Sequence, residues 1–127
     1  LAVADTMKPV PDHGVGHLRI VLSDTAYLGP GRADLLEGIA RTGSIAAAGK
    51  AMGMSYKRAW SLVQDLNTGF GQPLVTSQRG GAAQGGAVLT DFGLLMVTTY
   101  RAMQEKAQTA VAGDVAALRS ALTTKRD

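Results

Sequence analysis

Between Ser44 and Asn67 the sequence encodes two helices with almost no chain between them. Ser44 precedes the alanine-rich segment Ile45 to Met52, Gly53 stops that segment, and Ser55 precedes an amphipathic stretch from Tyr56 to about Asn67. Each serine hydroxyl can accept a backbone N–H that the first helical turn leaves unpaired. Two helices joined this tightly must cross steeply and share one apolar corner, which constrains the chain more than any other feature. Such a corner is either an ordinary bend in a helical fold or a helix-turn-helix, whose second helix enters the ~12 Å major groove of DNA.

The side chains of the second helix separate these readings. At roughly 100° per residue, Ala59, Leu62, Val63 and Leu66 share the side that faces a core, while Lys57, Ser61, Gln64 and Thr68 share the opposite side. Arg58 and Asp65 lie on one flank, Tyr56 and Trp60 on the other. Lys57 and Gln64 are long enough to reach base edges, Ser55 and Ser61 suit phosphate or bases, and Arg58 suits phosphate or guanine in a fork. The positive end of the helix makes Ser55, Tyr56, Lys57 and Arg58 the expected anion-facing cluster. Trp60 is read as packing, because the amphipathic flank is where a large ring covers the edge of a core.

The flanking segments are legible in outline. Leu18, Ile20 and Leu22 alternate with Arg19 and Val21 as a short, mostly buried strand ending at Ser23 and Asp24. A turn at Leu28-Gly29-Pro30-Gly31 opens a helix with Leu35, Leu36, Ile39 and Ala40 at helical spacing, closed by Gly43. Asp34 and Glu37 are placed on its exposed first turn, where they favour the positive helix end. Beyond Pro73, Leu74 to Ser77 and Ala87 to Leu89 read as a hairpin whose tip is the glycine-rich run Gly80 to Gly86. The hairpin suits a wing beside the groove, with Arg79 as the charge available to phosphate or the minor groove. Thr90 caps a long helix from Asp91 to about Ala112, on the order of 30 Å. Phe92, Met96, Tyr100, Met103, Ala107 and Val111 form its apolar stripe, for which another copy of the chain is the economical cover. Gly113-Asp114 interrupts that pattern and Val115, Leu118 and Leu122 resume it.

Composition narrows the chemistry. The 127 residues, 46% hydrophobic and 18% charged, suffice for one domain with a modest core. With no cysteine there is no disulfide scaffold, thiol nucleophile or thiolate-bound metal. His13 and His17 stand among prolines and glycines near the start, read as a solvated tail, and are given no role. No stretch approaches the ~18 to 20 apolar residues of a membrane span and no secretory leader is visible, so a cytoplasmic location is expected. The formal charge of +3 permits an acidic partner without requiring one. Both glycine-rich stretches miss the phosphate-loop pattern, the one at Gly49-Lys50-Ala51 lacking the hydroxyl that holds magnesium. The scattered carboxylates are explained by helix dipoles and solubility, so no enzyme is expected.

Taken together, Leu28-Gly29-Pro30-Gly31-Arg32, Thr42-Gly43-Ser44-Ile45, Ala51-Met52-Gly53-Met54-Ser55-Tyr56-Lys57-Arg58-Ala59-Trp60, Leu66-Asn67, Pro73-Leu74-Val75 and Gly85-Gly86-Ala87-Val88-Leu89-Thr90-Asp91-Phe92-Gly93 keep a distinctive order and spacing. Across about Leu18 to Met103 the chain resembles the N-terminal DNA-binding domain of the molybdate-responsive, ModE-type transcription regulators, a winged-helix group related to the LysR-type helix-turn-helix. The resemblance implies a homodimer joined partly through the helix after the wing, and a DNA-reading helix that begins with Ser55, Tyr56, Lys57 and Arg58. Two departures stand out. Ala82 and Ala83 occupy a wing tip that in the family carries Lys or Arg, leaving Arg79 or Gln84 as substitutes. The chain also stops near where the molybdate-binding domains of longer members would begin, so molybdate is expected only through a separate domain and no cofactor within this chain.

The expected fold is therefore mainly α with a small β-hairpin wing, a winged helix-turn-helix with a long C-terminal dimerisation helix. Residues 1–17 are read as a flexible tail, 18–90 as the DNA-binding domain and 91–127 as the dimerisation region. The expected function is a homodimeric, sequence-specific repressor of molybdate-transport or molybdenum-related genes, partnered by double-stranded DNA and no membrane, through Ser55, Tyr56, Lys57, Arg58, Ser61, Gln64 and Arg79. The alternative is a winged-helix protein-interaction module, against which the outward Lys57, Ser61, Gln64 face weighs, since interface cores are more apolar.

Overall fold

Pro30 opens the helix around which the rest is assembled. Its ring presets φ and supplies no N–H, which suits a first helical turn. Helix α1 runs Pro30–Thr42 from Gly29, an N-cap without a side-chain hydrogen bond, and closes at Gly43, which has φ +72° and sends its N–H to the Ile39 carbonyl. The computed structural model describes residues 13–78 and 86–122. Strands β1 (Ile20–Val21) and β2 (Tyr27–Leu28) precede α1. Helices α2 (Ile45–Ala51) and α3 (Tyr56–Phe70), strands β3 (Val75–Gln78) and β4 (Gly86–Leu89), and helix α4 (Asp91–Ala121) follow it. The architecture is mainly helical with a small wing-like hairpin and a long C-terminal helix, as the sequence implies.

The core forms where these helices meet. Leu35, Leu36 and Ile39 of α1, Val63 and Leu66 of α3, Leu74 and Tyr100 are its largest fully buried side chains. Strands β3 and β4 pair antiparallel, with Val75 opposite Leu89 and Gln78 opposite Gly86. The pair is tied to the helices at both ends: Ala87 N–H donates to the Gly43 carbonyl at 2.9 Å, and Thr90 N–H to the Leu74 carbonyl at 2.9 Å. Thr90 also caps α4 by accepting from Gly93 N–H at 2.9 Å. No helix among the described residues is long and apolar enough to cross a membrane.

Several sequence expectations change. The expected strand from Leu18 to Leu22 shortens to Ile20–Val21, and its partner is Tyr27–Leu28, which takes in the first residue of the expected turn. Val21 and Leu22 are exposed rather than buried, because the hairpin bends back at once, Ser23 Oγ accepting from Ala26 N–H at 3.0 Å. Asp34 is not on an exposed first turn. Helix α1 begins at Pro30, so Asp34 falls on the face turned to α4, where it is 5% exposed and meets Arg101 at 2.5 Å. Glu37, partly buried, meets the same guanidinium at 2.7 Å.

Helix α4 passes through Gly113 without interruption. The first half of its apolar stripe turns inward: Tyr100 is buried, and Phe92 and Met96 pack on the core. The domain itself covers Tyr100 and part of Phe92 and Met96. Residues 1–12 lie outside the described residues. The rest of the expected tail is tied to α4 through Val15, whose N–H donates to Gln108 Oε1 at 3.0 Å and whose carbonyl accepts from Gln108 Nε2 at 2.8 Å; just beyond it, Tyr100 Oη donates to the Leu18 carbonyl at 2.6 Å.

Candidate nucleic-acid interface

Helix α3 is built to bury one side and present the other. Ser55 Oγ accepts from Arg58 N–H at 3.1 Å, fixing where the helix starts. Before it, Gly53 at φ +74° lets the chain reverse, and Met54 N–H returns to the Gly49 carbonyl at 2.9 Å. The two helices approach closely because Gly49 has no side chain; a Cβ there would lie 2.7 Å from that of Ala59. Ala59, Val63 and Leu66 are buried, with Leu62 partly buried against the core.

Asn67, at the far end of α3, locks that helix to the hairpin. Its Oδ1 accepts from Leu74 N–H at 2.8 Å and Val75 N–H at 3.3 Å, and its Nδ2 donates to the Val75 carbonyl at 2.9 Å. One amide thus satisfies backbone groups that the turn after α3 would otherwise leave unpaired.

The remaining surface of α3 is open. Ser55, Tyr56, Lys57, Arg58, Ser61 and Gln64 are all exposed. Lys57, Ser61 and Gln64 share one hydrophilic face with exposed Thr68, and the positive end of the helix dipole lies beside Ser55 to Arg58. The arrangement can bind anions at its start and hydrogen-bond with flat polar edges along its length. Arg79, the expected wing contact, lies outside the described residues, as do Ala82, Ala83 and Gln84.

Trp60 departs from expectation. It is 46% exposed and neighbouring Tyr56 is 55% exposed, so the ring does not close a core edge. The core beneath is already filled by Ala59 and Val63. A large aromatic beside the hydrophilic face of the helix is the available sequence signal.

A short helix and a glycine turn, a second helix with one polar face, and a hairpin behind it define a winged helix-turn-helix. Residues 32–94 match the model of the bacterial regulatory helix-turn-helix proteins of the LysR family. Over 103 residues the chain is 46% identical to the molybdenum-pterin-binding protein MopB of Rhodobacter capsulatus, covering 80% of this chain and 38% of that one. It is 42% identical to the molybdenum transport protein ModE of Azotobacter vinelandii, covering 71% and 31% respectively. It is 37% identical to the DNA-binding transcriptional dual regulator ModE of Escherichia coli K12, covering 65% and 32%.

Two solved structures share the fold. The complex of the CbnR DNA-binding domain with DNA gives a TM-score of 0.54 at 24% identity, over 69% of this chain and 95% of that one. A LysR family transcriptional regulator gives 0.52 at 22% identity, over 73% and 30%. Residues 32–94 therefore form a helix-turn-helix domain of the LysR type, the domain of bacterial regulatory proteins, and the chain is similar in sequence to ModE-type proteins. It spans about a third of the length of the relatives it matches.

Proposed function

We propose that this protein is a sequence-specific DNA-binding regulator of transcription that acts as a homodimer in the cytoplasm and represses molybdate-transport or molybdenum-related genes. The observation that carries the reading is α3 itself, with a capped, positive start and an exposed face of Lys57, Ser61 and Gln64 opposite the buried Ala59, Val63 and Leu66. Helix α3 lies in the major groove, Lys57, Ser61 and Gln64 meet base edges, and Ser55 and Arg58 hold phosphates. Arg79 is assigned to the backbone beside the groove. Molybdenum appears in the names of two of the relatives and DNA-binding dual regulation in that of the third, which supports the regulatory assignment.

Molybdate, an oxyanion, needs several converging donors. We assign any molybdate response to a separate domain, a reading supported by relatives with molybdenum in their names, of whose length this chain spans about a third.

Fluorescence anisotropy on duplexes the protein selects from a random pool tests the reading. Selected duplexes bind more tightly than random ones, and with ~6 phosphate contacts in the dimer, log affinity falls against log salt with a slope near minus five. Lys57→Ala weakens binding to the selected site by about 1–3 kcal/mol if it reads a base. A flat salt response, or equal affinity for selected and random DNA, refutes the assignment.

A further inference from the structure

Helix α3 carries two large rings that the domain leaves uncovered, Tyr56 at 55% and Trp60 at 46% exposure. Among the described residues neither takes part in a hydrogen bond, ring stack or cation contact. Tyr56, Trp60 and Gln64 follow at four-residue intervals, each about 40° round from the last, so they form one ridge. The ridge begins beside the buried Ala59 and Val63 and ends at the middle of the outward face. Lys57 lies beside the ridge on α3, and Arg58 on the opposite flank.

An exposed aromatic pair marks a contact surface. The adjacent Lys57 and the positive helix start disfavour an apolar protein partner, whose interface core would be depleted of lysine. They favour a polyanion with apolar spots on it. In the major groove that spot is the 5-methyl group of thymine, and the complementary pairing for a glutamine amide is N6 and N7 of adenine. From Tyr56 to Gln64 the ridge is about 12 Å long, which spans three to four base-pair steps at about 3.4 Å each.

We propose that Tyr56 and Trp60 contact thymine methyl groups through their rings and that Gln64 pairs with an adenine on the same ridge, so that this flank of α3 selects A·T pairs. The proposal rests on the placement of α3 in the major groove.

The test uses duplexes selected by the whole chain, with each thymine replaced in turn by deoxyuridine, which differs only by the methyl group. At one or more thymines in each half-site the replacement weakens binding about fourfold, the effect of one buried methyl. In Trp60→Ala or Tyr56→Ala the overall affinity falls, and at the corresponding position the thymine and uracil duplexes bind alike. Gln64→Ala keeps the methyl dependence but loses discrimination at its adenine. Circular dichroism verifies that each variant is folded, and Trp60→Gln serves if the alanine variant is not.

Trp60 is the single tryptophan, so its fluorescence supplies a second readout, becoming protected from acrylamide when the selected duplex binds. Equal binding of thymine and uracil duplexes by the wild type overturns the inference, as does a uracil penalty unchanged in both ring variants or a selected half-site without A·T pairs. A protein that prefers no selected duplex over random DNA overturns the groove placement itself, which is a different result.

Discussion

Arg101 holds carboxylates 67 and 64 residues away in sequence. Its guanidinium binds Asp34 and, through both Nε and Nη2, Glu37, which pins α4 to α1. Burial pushes the Asp34 carboxyl above its ordinary 3.8, while the hydrogen bond and charge of Arg101 pull it back. Removing the cation leaves a buried carboxylate unpaired, so Arg101→Met lowers stability by about 3 kcal/mol in urea denaturation. Asp34→Asn costs far less, about 1 kcal/mol or below, because Arg101 keeps Glu37 and a desolvated charge is removed. The two also differ with pH. A carboxyl with a raised folded pKa takes up its proton in the folded state first, so protonation favours folding as pH falls, and the benefit is lost as pH rises through the folded pKa. Wild type therefore gains stability relative to Asp34→Asn between pH 7 and the ordinary carboxylate range; a gap that widens in the opposite direction would contradict the burial assigned to Asp34.

The helices show how closely α2 and α3 must fit for the hydrophilic face of α3 to be presented. Gly49→Ala drives a methyl into Ala59, and neither helix backbone can yield cheaply, so about 1–3 kcal/mol of stability is lost and DNA affinity falls with it. Gly53→Ala is the control: no atom lies within 4 Å of the added methyl, and its left-handed backbone alone costs about 1 kcal/mol. Urea melts of both, with DNA titrations of the folded fraction, distinguish a misplaced helix pair from a strained turn. The elements most legible in sequence are those fixed locally. Ser44, Ser55 and Thr90 announce their helices because a cap bonds three residues ahead, and the two faces of α3 follow from spacing alone. Strands β1 and β2 have two residues each, too few for an alternation to register. The burial of Asp34 depends on a partner a whole domain away in sequence, and Trp60 lies on a flank where spacing alone does not decide between core and solvent. Asn67 illustrates the same limit: nothing near it in sequence signals that its amide would organise the turn to β3.

At the scale of the molecule the unresolved demand is α4, 31 residues long and therefore about 46 Å. Its inner half is held by the core, by Arg101 and by the Val15–Gln108 bonds. From Thr109 onward almost every residue faces outward, and Leu118 and Leu122 are 70% and 67% exposed, with Leu94 and Leu95 at 51% and 55% nearer the domain. A helical segment of about a dozen residues is marginal in water by itself, and leucines held on its outside gain nothing unless something covers them. In the proposed homodimer, a second copy joined through this outer half would supply the cover and set two α3 helices on one duplex about 34 Å apart. The wild-type chain is accordingly a dimer in sedimentation equilibrium at micromolar concentration. Leu118→Lys combined with Leu122→Lys yields a folded monomer, with helical content reduced by the frayed end of α4. Because the second half-site is then no longer held at high effective concentration, affinity for a selected palindromic duplex falls about 100-fold or more, while affinity for a single half-site changes little. A double variant that remains dimeric removes the outer half of α4 from the interface, and a wild type that sediments as a monomer removes the dimer.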